Sequence, residues 1–111
     1  MKTTKFNFGD IILISFPFSD LISFKKRPCL VLKEHQQDVL VIFISSQLKQ
    51  GSIDDILVKK DSINNLATDS LIKVWKINVL HKSLIVKKIG NLDKGNKSLL
   101  KNQLLNFFSK L

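Results

Sequence analysis

Of the 18 basic residues in this 111-residue sequence, 17 are lysine and one is arginine, Arg27, in the stretch SFKKRPCLVL at 23 to 32. A lysine ammonium is a point charge on a flexible stem. A guanidinium is a planar fork that meets two phosphate oxygens at once and stays charged at every working pH. Pro28 follows it, which biases Arg27 toward extended backbone and so fixes where the fork starts. One reading is an anion-gripping group. The other is a structural arginine that pairs with Asp10 or Asp20. The residues alone leave both open.

Ser45, Ser46 and Gln47 close the apolar run DVLVIFISS. If RPCLVLKE and DVLVIFISS are neighbouring antiparallel strands, the end of the second lies beside the start of the first, so Ser45 and Arg27 meet at one end of the sheet. A hydroxyl beside a guanidinium makes a small phosphate or oxyanion pocket; serines also simply end strands in turns. Lys25 and Lys26 would flank that pocket. Phe18 and Phe24 could stack on unpaired bases, the sequence-tolerant way of holding single strands. Trp75 could stack as well, but it lies in a strand-like stretch, where a lone tryptophan is more often core. His35 and His81 have no partner at acid–base spacing. Cys29 reads as a small buried hydrophobe. Neither a nucleophile elbow, a glycine-rich phosphate loop nor a metal-ligand cluster is present in the sequence.

The elements that position these residues are mostly strands. Gly9-Asp10 precedes IILISFPF, a β-branched and aromatic run that Pro17 ends. Residues 17 to 26 read as a loop. The second and third strands, 27 to 34 and 38 to 46, turn at Gln36-Gln37 and are almost continuously apolar, which calls for cover on both faces. A polar loop at 46 to 54 leads to a short fourth strand, DILVK, and a turn at 61 to 68. The stretch 69 to 80 alternates, with Leu71, Lys73, Trp75 and Ile77 set against Ile72, Val74, Lys76 and Asn78. Residues 83 to 92 fit a strand but also a helical period. Asp93 is an N-cap for a C-terminal helix whose apolar face holds Leu100, Leu104, Phe107 or Phe108, and Leu111. Several short strands with one terminal helix make a mainly β fold with helices, a small, strongly bent β-barrel.

The length fits a single domain over 1 to 111. No apolar run is long enough to span a bilayer and the first residues show no signal-peptide pattern, so a cytoplasmic location and no membrane partner are expected. Residues 1 to 72 hold nine basic and eight acidic side chains, whereas 73 to 111 hold nine lysines against Asp93 alone. That one-sided field favours phosphate-rich partners without sequence selectivity.

The order GDIILISFPFSD, KKRPCLVL, VIFISSQ and SLIKVWKINVLHKSLIVKKIGNL resembles the MazF/PemK family of toxin endoribonucleases, from about Phe8 to Leu92. The resemblance implies an SH3-like (CcdB/PemK-type) barrel, a homodimer and a cognate antitoxin partner. It also implies sequence-specific cleavage of single-stranded RNA with no metal or other cofactor. By position, Arg27 matches the family's catalytic arginine, and Ser45 a place where many members carry threonine, with Ser46 and Gln47 beside it. The sequence departs from some members around Trp75 to Asn78, where certain relatives carry an arginine or a carboxylate. The implied reaction is attack of the RNA 2′-hydroxyl on the adjacent phosphate, with Arg27 stabilising the charge and Ser45 assisting. Arginine is too weak an acid to serve as the base, so that role is unfilled. Two rivals stand beside it: a barrel that binds nucleic acid without cutting, and a CcdB-like toxin that targets a protein through the C-terminal helix.

Overall fold

The structure, a computed structural model, describes residues 5 to 17 and 24 to 111. Strand β1 spans Asp10–Pro17, β2 Phe24–His35, β3 Asp38–Ser45, β4 Ile56–Val58, β5 Ser70–His81 and β6 Ile85–Asn91, and helix α1 spans Lys94–Ser109. The strands form one antiparallel sheet in the order β4-β5-β3-β2-β1-β6. A tight turn at Gln36, whose φ of 54° is left-handed, joins β2 to β3. The stretch 83 to 92, which fitted both periods, is a strand preceded by a single 3-10 turn at Lys82–Leu84.

The continuous apolar character of β2 and β3 has the expected cause: their residues point alternately into two cores. Ile11, Leu30, Ile42, Ile72, Leu92 and Leu100 belong to one cluster, with Leu104 and Phe107 of α1 packed on it. Ile12, Ile14, Cys29, Val31, Val39 and Val41 belong to the other, capped by Phe6 and bordered by Phe16, Phe43 and Ile85. Asp93 caps α1 by accepting from the Asn96 N–H at 2.7 Å. The helix face is narrower than its sequence period implies, because Phe108 is half exposed and Leu111 almost fully so.

The sheet curls until its two edges approach, and a turn rather than a strand spans the remaining gap. The Asn91 N–H donates to the Ile63 carbonyl at 3.1 Å, and Asn65 Nδ2 donates to the Ile89 carbonyl at 2.7 Å. Asn64, buried within that turn, holds it with Nδ2 on the Lys59 carbonyl and Oδ1 on the Asp61 and Leu66 N–H groups. Gly90 is where the turn crosses β6: a Cβ there would stand 2.7 Å from the Asn64 carbonyl carbon. The result is a barrel-like, mainly β fold closed on one side by backbone contact.

Candidate active site

β2 starts three residues earlier than its sequence indicates, so Lys25 and Lys26 are strand residues opposite Phe16 and Ser15 of β1, not loop residues. The loop expectation failed because β1 supplies a ladder for them, and a paired extended backbone tolerates lysines whose heads reach water. Arg27 pairs with Ile14, and Pro28 with Leu13. On its other edge β2 pairs with β3 only from Cys29 inward. The proline, which has no N–H to give, thus stands where that ladder has ended.

Cys29 stands opposite Phe43, and the same register carried two residues outward sets Arg27 opposite Ser45. Both border a cavity of about 360 Å³, with Phe16, Pro28, Cys29, Phe43, Ile44, Lys73 and Lys76 as its other walls. Phe16 and Phe43 meet edge to face, 5.5 Å between centroids, and form an apolar wall. None of these residues is acidic. Among the described residues Arg27 makes no ion pair; Asp10, one of the carboxylates that could have claimed it, takes Lys88 at 3.1 Å. Asp20, the other, lies outside the described residues.

The Ser45 Oγ accepts from the Gln47 N–H at 3.1 Å, so one lone pair is committed to the turn and the hydroxyl proton is left to donate. Ser46 and Gln47 are exposed beside it. Cys29 is fully buried at the cavity floor, and burial pushes its thiol up to about 12 against the opposing pull of Arg27. It is an inert wall. Phe18 lies outside the described residues, as does the side chain of Phe24.

Two site features were missed at the level of sequence. Lys73 is buried, and its Nζ donates to Asp55 Oδ2 at 2.7 Å and to the Gln50 carbonyl at 3.0 Å, which ties the 46-to-55 segment to β5. Trp75, expected in the core, is 47% exposed. Both follow from one irregularity. Ile72 pairs with Ile44 and Ile77 with Ile42, so the four β5 residues 73 to 76 face Phe43 alone. Such a bulge breaks the alternation and re-aims side chains: Lys73 and Val74 are both buried, Trp75 and Lys76 both exposed. Nothing in the alternating sequence signals an insertion of this kind.

A family model described as PemK-like, MazF-like toxin of type II toxin-antitoxin system matches residues 7 to 108. The chain belongs to that toxin family. Among solved structures, the Mycobacterium tuberculosis toxin MazF-mt6 superposes with a TM-score of 0.71 at 22% identity, covering 90% of this chain and 96% of that one. This is a likeness of fold. No curated protein sequence matches the chain. The family match extends the resemblance beyond β6 and through most of α1. No helix among the described residues is long and apolar enough to cross a membrane.

Proposed function

We propose that this PemK-like toxin is a sequence-specific endoribonuclease that cuts single-stranded RNA at the cavity between β2 and β3. The observation that carries the reading is the pairing of an exposed guanidinium with a hydroxyl at one cavity whose walls hold three cations and no carboxylate. Lys73 is neutralised by Asp55, which leaves Arg27 and Lys76 to receive a phosphodiester. Lys25, Lys26, Ser46 and Gln47 extend that surface along the strand and the turn, and Phe18 and Phe24 are proposed to border the RNA.

In this reaction the 2′-oxygen forms a bond to phosphorus as the bond to the 5′-oxygen breaks. The 2′-hydroxyl loses its proton and the departing oxygen gains one, giving a cyclic phosphate and a 5′-hydroxyl end. Arg27 meets the two non-bridging oxygens, where charge builds up in the transition state. Ser45, with its oxygen already engaged by Gln47, donates its proton to one of the phosphate oxygens. The remaining contribution is geometric: apolar walls hold the phosphate and the 2′-oxygen in line. The family assignment supports a cognate antitoxin as partner, a homodimer as the assembled form and action in the cytoplasm as one toxin domain.

The absence of histidine and carboxylate from the cavity walls favours one rival, a barrel that binds RNA without cutting it. The same experiment separates the two. Purified protein is incubated with a long unstructured RNA in EDTA, and new 5′ ends are mapped beside Arg27→Ala and Arg27→Lys. Cuts at a recurring short sequence with 5′-hydroxyl ends are expected, reduced about 10²–10³-fold in Arg27→Ala and only partly restored by lysine. Salt-sensitive binding with no cuts by the wild type would make the protein a binding module.

A further inference from the structure

Trp75 is the feature of the site that the reaction above leaves unused. It stands on the β5 bulge, 47% exposed, with Lys76 Nζ 5.1 Å and Lys73 Nζ 5.8 Å from its ring centroid. Both lysines line the cavity that holds Arg27 and Ser45, so the indole stands at its margin. Lys73 is pinned by Asp55 and the Gln50 carbonyl, which fixes the cavity side of the ring. Lys76 is exposed and can exchange its cation–π contact for a phosphate.

A large apolar ring kept half in water, beside a cationic phosphate site, costs solvation unless something covers it. β5 presents the indole to solvent beside the two lysines instead of packing it in the core. We propose that Trp75 is a base-stacking platform, the binding subsite for the base of a nucleotide next to the phosphate held by Arg27. The platform rests on the single-strand RNA reading of the cavity. An aromatic face beside lysines is the arrangement that holds unpaired bases, because every base offers a π-face while the cations take the backbone. The phosphate site then supplies charge, and the indole supplies contact with the base itself.

Trp75 is the only tryptophan in the chain, so intrinsic fluorescence reports on this ring alone. The test titrates the wild-type protein with a fluorescein-labelled, uniformly 2′-O-methylated 12-mer of mixed sequence, which cannot be cut. A matching 12-mer with abasic sites throughout keeps the phosphates and removes the bases. Quenching by the first and not by the second is expected. By anisotropy, Trp75→Ala should bind the base-bearing probe about 5- to 150-fold more weakly, the loss of one stacked base, and the abasic probe unchanged. Trp75→Phe, which keeps a smaller π-face, should fall between. Thermal melting of both variants checks that the fold persists.

Binding without quenching, with Trp75→Ala equal to wild type, would overturn the platform and assign the ring to a protein contact, leaving the ribonuclease intact. No binding of either probe, together with no cutting of natural RNA, would remove the ribonuclease reading and the platform with it.

Discussion

Lys73 Nζ stands 2.7 Å from Asp55 Oδ2, the two side chains 8% and 1% exposed. The same carboxylate oxygen accepts from the Ser52 N–H at 2.8 Å, and the buried Oδ1 has no hydrogen-bond partner among the described residues. One ion pair therefore organises the turn that follows Ser45 and the bulge of β5 that carries Trp75.

Removing one member of such a pair strands the other charge in an apolar setting. Asp55→Ala should lose about 3–5 kcal/mol of folding stability, as broken buried pairs do, read from urea unfolding. Replacing both, Asp55→Leu with Lys73→Met, should recover most of that loss, since no charge is then stranded. A loss below about 1 kcal/mol for Asp55→Ala would class the contact with solvent-screened surface pairs.

How much of this was legible in the sequence depends on whether a residue's neighbours are local. Pro17, Gln36-Gln37 and Asp93 act on their own backbone, and the end of β1, the turn of β2 into β3 and the start of α1 fall where those residues place them. That Arg27 and Ser45 come to the same end of the sheet was also readable, because a tight turn joins the two strands. Their alignment was not: the register at the turn would set Arg27 opposite Ser46, and a bulge between Val31 and Lys33 shifts it by one residue. Nor was the bulge at 73 to 76. It is set by β3, thirty residues away in sequence on the order of a third of the chain, and a β-strand pattern carries no mark of where its partner skips. The Lys25 and Lys26 extension of β2 was hidden for the same reason: charged residues look like loop until a neighbouring strand is seen to pair with them.

Gly90 tests the closure of the barrel. The Asn64 backbone occupies the space that a side chain would need, and the Asn64 side chain anchors that turn, its Oδ1 accepting from the Asp61 N–H and its Nδ2 donating to the Lys59 carbonyl. Gly90→Ala should cost at least the ~1–3 kcal/mol typical of overpacking. Thermal melting measures it, and hydrogen exchange at Asn91, whose N–H reaches across the gap to Ile63, should accelerate most. Wild-type exchange at that amide in the variant would mean that the closing turn yields without strain.

Cys29 links the buried floor of the cavity to pH. Its thiol ionises near 12 in the fold against an ordinary 9.0, so folding favours the neutral form. The unfolded chain begins to ionise this group above about 9, whereas the folded chain does not; stability from this residue is full below pH 9 and falls between 9 and 12. At pH 8 native protein should react with a thiol reagent only as fast as it opens, and in urea at once. Rapid stoichiometric labelling of native protein would show the floor to be accessible. Cys29→Ala should flatten the alkaline fall relative to wild type.

Ser45 ends β3 and is proposed to be a phosphate ligand as well. Its oxygen accepts from Gln47 N–H at 3.1 Å, and that N–H is exposed enough for water to replace the serine, so Ser45→Ala should cost no more than about 0.5–1.5 kcal/mol of stability. Its effect on RNA cleavage should be far larger in proportion. Loss of one donor to the phosphate lowers turnover by about 10²-fold, the lower end for a single oxyanion contact. Ser45→Thr keeps the hydroxyl and the turn and should retain most of the activity. Single-turnover cleavage of a defined RNA beside urea unfolding gives both quantities. If Ser45→Ala cuts as fast as wild type, the serine only ends β3, and the charge on the phosphate is met by Arg27 without it.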